Sequence, residues 1–270
     1  MNRKVAGRAP PARLAELRRY LAEMEGLGKT APILPFGLAA LDAALPWGGV
    51  PLAVLHEIEG DATSGENDAA ATAFLAGILA RLAPAKPVLW CMQTPDLHPP
   101  GLAQAGLMAQ RLLLVRTSDE RETLWAMEEG LRSRVLAAVV GEVGTLSMTA
   151  SRRLQLAAEA SGVTGFVLHR CGGTAAASAA VTRWRVTGLP AVPVAGEPGI
   201  GQSRWRVALL RCRGGVPAAW DMEVGDMEAR DMEAGEMEEG DVQPGRTAGD
   251  VAVPAALADR SPLRPRRAAG

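Results

Sequence analysis

Gly60 and Gly65, separated by four residues in Gly60-Asp-Ala-Thr-Ser-Gly65-Glu66-Asn67, lie between an apolar run and a stretch with helical spacing. That is the setting of a phosphate-binding loop, in which glycines let backbone N–H groups wrap a phosphate at a helix N-terminus. In such loops a Lys after the second glycine reaches the terminal phosphates, and the next hydroxyl holds Mg²⁺. Here the Lys position is Glu66 and the hydroxyl position is Asn67. A carboxylate at that point repels a polyanion. The loop shape is expected to persist without the nucleotide chemistry, and no cofactor is expected.

Other reactive side chains form weaker patterns. His56, inside an apolar strand, reads as a hydrogen-bonded core residue. Asp96-Leu-His98 and His169-Arg-Cys171 hold ligand types, but nothing in the sequence brings them together, so no metal is expected. No GxSxG or Cys/His/Asn pattern points to a hydrolase. Cys91, Cys171 and Cys212 lack CxxC spacing, which speaks against a zinc finger or a disulfide framework. Trp125, among Ala126, Met127 and Leu131, reads as core. One arrangement stands out: Arg183-Trp-Arg-Val recurs as Arg204-Trp-Arg-Val. At a period of two, Arg183, Arg185, Arg204 and Arg206 share one face while Trp and Val share the other. If the strands pair, the four guanidinium groups gather near Arg211 and Arg213. The plain expectation is a solvated outer face; the sharper one is a surface for DNA phosphate or an acidic partner.

These residues need elements to hold them. Strands at Leu52–Ile58, Pro87–Cys91, Leu112–Val115, Val135–Val140 and Val163–His169 alternate with helices at Asp68–Leu82, about Thr117–Arg132 and Thr149–Ala160. The pattern predicts an α/β fold with a mainly parallel sheet, flanking helices and a late antiparallel hairpin around Trp184 and Trp205. Thr117 with Glu120 reads as a capping box.

The formal charge of −1 hides an uneven distribution. Residues 221–245 run DMEVG DMEAR DMEAG EMEEG DVQPG, with ten acids and one base, a net −9. Residues 246–270 carry five Arg and two Asp, or +3, which leaves +5 for the first 220. A five-residue period suits neither helix nor strand, so 221–270 is expected to be a disordered tail. Leu14, Leu17, Leu21 and Met24 give an amphipathic helix within a leading segment 1–30, and 31–220 is the expected core. No apolar run approaches the ~18 residues of a membrane span. The charged start has no apolar stretch behind it, so no signal peptide and a cytoplasmic location are expected.

Leu34-Pro-Phe-Gly-Leu-Ala-Ala-Leu-Asp-Ala-Ala-Leu-Pro-Trp-Gly-Gly-Val-Pro-Leu and His56-Glu-Ile-Glu-Gly resemble the entry to a RecA-type core. With Leu124-Trp-Ala-Met-Glu-Glu-Gly-Leu-Arg, Thr149 to Gly162 and Leu209-Leu-Arg-Cys-Arg-Gly-Gly, residues 10–220 resemble the ImuA family. These are RecA-like proteins encoded beside ImuB and an error-prone polymerase. The likeness stops at 221, where that family continues with an ordinary final strand. It implies a RecA-like P-loop core and a role in damage-induced, error-prone translesion synthesis, with an ImuB-like protein, RecA and the polymerase as partners. DNA contact is expected to be weak or indirect. It also implies what is missing: Gln93 stands for a water-activating Glu, Gly141 for an Mg²⁺-holding Asp with Glu142 one residue on, and His169-Arg170 for a phosphate-sensing Gln. No ATP turnover is expected. The same likeness leaves open a regulator of RecA filaments and an active DNA-dependent ATPase. An N-terminal helix in RecA-type proteins packs on a neighbouring subunit, so Leu14, Leu17, Leu21 and Met24 are the expected partner contacts.

Overall fold

The computed structural model describes residues 32–61, 65–170, 177–192 and 201–223. The chain divides into units Met1–Ala234 and Gly235–Gly270, and every described residue belongs to the first. The leading helix expected over 1–30 lies outside the described residues.

Two short strands, β1 (Ile33–Leu34) and β2 (Val50–Pro51), pair antiparallel and flank α1 (Ala39–Asp42). The main chain then alternates β3 (Leu55–Gly60), α2 (Gly65–Arg81), β4 (Val88–Met92), α3 (Pro99–Gln104), β5 (Leu112–Arg116), α4 (Glu120–Leu131), β6 (Ala138–Val143), α5 (Met148–Ser161) and β7 (Thr164–His169). Three strands close it: β8 (Thr182–Leu189), β9 (Arg204–Cys212) and β10 (Ala218–Glu223). The eight main-sheet strands lie in the order β10-β9-β8-β3-β7-β6-β4-β5. From β8 to β5 every pairing is parallel; β8–β9 and β9–β10 are antiparallel. The α/β class, the mainly parallel sheet and the late hairpin follow the expectation.

Central strands are buried on both faces, so they read as apolar runs rather than alternations. On one face α2 packs Phe74, Leu75, Ile78 and Leu79 against Ile58, Trp90, Trp184 and Val207. Phe36 meets Phe74 and Trp184 there, with ring centroids 6.0 and 5.5 Å away. On the other face α4 and α5 bring Met127, Leu131 and Leu154 onto Val139, Val143 and Val167. Each fully buried Leu, Ile or Phe contributes about 1.5–3 kcal/mol. At the C-terminus of α2, the Arg111 guanidinium donates to the carbonyls of Leu79, Ala80, Leu82 and Ala83, satisfying orphan acceptors at the negative end of the helix. Helix α5 starts at Ser147, which accepts from Ala150 N–H, and stops at Gly162, where φ of 82° suits a residue without Cβ.

Several boundaries differ from the sequence reading. Strand β6 runs to Val143, so Gly141 is mid-strand rather than terminal. Its lack of a side chain matters there because a Cβ would collide with Met127 Sδ. The cap of α4 is Asp119, which accepts from Glu122 N–H; Thr117 instead bonds Met92 O and Thr123, and Glu120 reaches Gly144 N–H. Trp125 is not core: it is 61% exposed on α4. The boundary at 220 also moves. Asp221, Met222 and Glu223 of the first acidic repeat pair with Arg206, Trp205 and Arg204 in β10, and Met222 is buried. A residue type read as repetitive surface thus supplies the final strand, because an acid–Met–acid triplet alternates correctly for one. At the far side of the sheet β5 exposes Leu113 and Leu114, and no described strand pairs with its outer edge.

Candidate functional site

The two-glycine loop joins the central strand to the helix that covers it, as the spacing required. Gly60 ends β3 so close to α2 that a Cβ would lie 2.7 Å from the Asn67 carbonyl carbon. Gly65 opens α2. Asn67, at the hydroxyl position, is buried: its Nδ2 donates to Asp61 O at 3.0 Å, and its Oδ1 accepts from Gly188 N–H at 2.8 Å. It staples the strand–helix junction to β8. Glu66 is exposed and faces a cleft of about 600 Å³, lined also by Asp96, His98, Arg170, Arg204 and Trp205.

Arg170, just past β7, sits in the wall of this cleft. Its Nε donates to Glu142 Oε2 at 2.9 Å and its Nη2 to Asp96 Oδ1 at 2.8 Å. The other Glu142 oxygen accepts from the fully buried Trp90 Nε1 at 2.7 Å. Burial opposes the Arg170 charge, yet the hydrogen bond and charge of Glu142, with the charges of Asp96 and Asp68, hold the guanidinium above its ordinary range. Glu142 is therefore committed to an indole and a guanidinium rather than to Mg²⁺ water. Gln93 follows β4 and does not line the cleft.

Neither the Lys that reaches a terminal phosphate nor the hydroxyl that holds Mg²⁺ stands at the start of α2, where Glu66 and Asn67 are found. Glu66 puts negative charge at the mouth of a cleft whose Asp96 is paired with Arg170, and the acid nearest the end of β6 already has its cation. Calorimetry is expected to show no micromolar binding of Mg·ATP. Glu66→Lys with Asn67→Thr is expected to leave hydrolysis absent, since Gln93 and the Glu142–Arg170 pair remain.

The arginine strands do pair, with Arg185 opposite Ala208 and Thr187 opposite Arg206. All four arginines are neutralised. Arg183 donates through Nε and Nη2 to Glu57 Oε2 at 2.7 and 2.5 Å, and Arg185 likewise to Glu59 Oε1 at 2.8 and 2.5 Å. Arg206 forks onto Asp221 at 2.7 and 2.9 Å, and Arg204 lies 3.7 Å from Glu223. Arg211 and Arg213 donate to the carbonyls of Ser178 and Ala179. The face anticipated as cationic is a ladder of ion pairs.

His56 is a core residue, as expected: its ring bonds Thr182 Oγ1 at 2.6 Å and Pro51 O at 2.8 Å. His169 does not join Asp96 and His98; its Nε2 lies 3.2 Å from Glu57 Oε2, and Cys171 is outside the described residues. No three His, Cys, Asp or Glu side chains among the described residues could share a metal ion. Leu14, Leu17, Leu21 and Met24 also lie outside them. Missed in sequence were the roles of Glu57 and Glu59 and the pairing of Arg170 with Glu142 and Asp96. The period-two spacing of Glu57-Ile-Glu59, which matches Arg183-Trp-Arg185, was the available signal.

No family model matches the chain. Protein ImuA of Caulobacter vibrioides, strain NA1000 / CB15N, is 40% identical to it over 209 residues, spanning 73% of this chain and 86% of the relative. Protein ImuA of the strain ATCC 19089 / CIP 103742 / CB 15 gives the same figures. Among solved structures, SulA from Pseudomonas aeruginosa aligns with a TM-score of 0.36 and 26% identity, over 43% of this chain and 96% of that one.

Proposed function

The chain belongs to the ImuA family, and from that premise we propose that it is a non-catalytic, RecA-like accessory protein of damage-induced, error-prone translesion synthesis. It acts as an adaptor that joins an ImuB-like protein, RecA and an error-prone polymerase, and it turns over no nucleotide. One observation carries the reading: Glu142, the acid closest to where an ATPase of this kind would hold Mg²⁺, is taken up by Arg170 and Trp90. The RecA-like character is supported by the central place of β3, its glycine loop running into α2, and the antiparallel strands that follow the parallel run. In the absence of a membrane-length apolar helix among the described residues, a cytoplasmic location belongs to the same reading.

Adaptors work through surfaces, and the segment best suited is the leading amphipathic stripe of Leu14, Leu17, Leu21 and Met24, which must be buried on some surface. Replacing Leu17 and Leu21 with Asp is expected to abolish capture of the ImuB-like protein or RecA from damaged cells and to suppress induced mutagenesis. Circular dichroism of the core should stay unchanged. Intact capture would count against the stripe as the dock. A filament regulator would instead shorten preformed RecA filaments, and a DNA-stimulated release of phosphate would favour the ATPase.

A further inference from the structure

We propose that the arginines at the start of β9 form a binding site for the phosphate backbone of nucleic acid, and that the chain's own acidic repeat keeps it masked. The four ion pairs of the ladder are of two kinds. Glu57 and Glu59, which neutralise Arg183 and Arg185, come from the central strand and are buried at 0% and 4% exposure. Those pairs are part of the fold. Asp221 and Glu223, which neutralise Arg206 and Arg204, come from the first DMEVG copy, and their side chains are 40% and 52% exposed. Exposed pairs of this kind contribute little to stability, so a competing anion displaces them at small cost.

The geometry suits that competitor. Arg206 grips Asp221 with the two-pronged fork that guanidinium groups also present to phosphate. Arg204 and Arg206 are two residues apart on one strand, so both point to the same face. The Arg206 and Arg185 side chains are 55% and 45% exposed, which leaves them open to a ligand lying across β8 and β9. The repeat that supplies the masking acids continues as DMEAR DMEAG EMEEG, the same acid–Met–acid unit. Asp221 and Glu223 thus act as carboxylate stand-ins for phosphate. This inference is independent of the adaptor reading, since it involves neither Leu17 nor Leu21.

Fluorescence anisotropy tests it with the full-length chain and labelled oligonucleotides of one sequence, single-stranded in one arm and duplex in the other. Asp221→Asn with Glu223→Gln is expected to bind at least one of them about tenfold tighter than the native chain at low salt. The log–log salt slope should steepen by about 1.4 on single strands or 1.8 on duplex, as two additional phosphate contacts require. Adding Arg204→Gln and Arg206→Gln should return affinity and slope to native values. The arm that gains identifies the form of nucleic acid. Should the amide pair fail to fold, Asp221→Thr with Glu223→Thr keeps the strand while removing the acids. Unchanged affinity in a folded acid-free variant overturns the proposal. So does a gain that survives loss of both arginines.

Discussion

Arg183→Ala is expected to lower the free energy of unfolding by about 3–5 kcal/mol, as measured by urea denaturation at neutral pH. Glu57 is fully buried, and Arg183 delivers two hydrogen bonds to one of its oxygens while His169 meets the same oxygen. Burial alone would push the Glu57 carboxyl up, but the hydrogen bonds from His169 and Ser178 and the Arg183 charge outweigh it and hold the carboxyl below its usual 4.5. A depressed carboxylate stabilises the fold above its unfolded pKa, and that contribution is lost as pH falls through the folded value. Without Arg183 the charge stays buried with too little compensation, so the carboxyl shifts upward and acid sensitivity starts at higher pH. Glu57→Leu combined with Arg183→Met should recover most of the loss, because a packed apolar pair replaces a buried ionic one at little cost. A loss below about 1 kcal/mol for Arg183→Ala would show that this pair is not the anchor of β8 on β3.

Acidification from pH 6.5 to 4 is expected to remove up to about 3 kcal/mol of stability through His56 alone. Desolvation lowers its pKa from 6.5 to about 4, despite the opposing hydrogen bond to Pro51. The neutral ring is held by a relay: Trp184 Nε1–H donates to Thr182 Oγ1 at 2.8 Å, the threonine hydroxyl donates to Nδ1, and Nε2–H donates to Pro51 O. Over that window the unfolded chain binds a proton that the folded chain refuses, so stability is complete above 6.5 and declines as pH falls. His56→Gln, which keeps a donor for Pro51, should flatten this part of the profile. An identical slope in the native chain and in this variant would remove His56 as its cause.

The parallel core was legible because its strands are apolar runs and its helices show apolar periodicity and stops such as Gly162, although the one cap read from sequence, Thr117 with Glu120, gave way to Asp119. The position of the glycine loop was legible for the same reason. What escaped was long-range charge pairing. Arg183 and Arg185 meet acids 126 residues earlier, and nothing local to either strand states that β3 lies beside β8. Strand β10 escaped because repetition and acidity mark solvated chain, while its ladder with β9 and the burial of Met222 are long-range and leave no local trace. Trp125 was misplaced because helical spacing locates a stripe but not the width of surface that the sheet covers.

The two margins of the sheet are chemically unlike. Strand β10 presents Asp221 and Glu223, and a row of fixed charge discourages a foreign strand from adding there. Strand β5 presents Leu113 and Leu114, apolar and half exposed, beside backbone groups that no described strand engages. A strand added to the described part of this sheet thus meets charged side chains at one margin and apolar ones at the other, so β5 is the less guarded of its two edges.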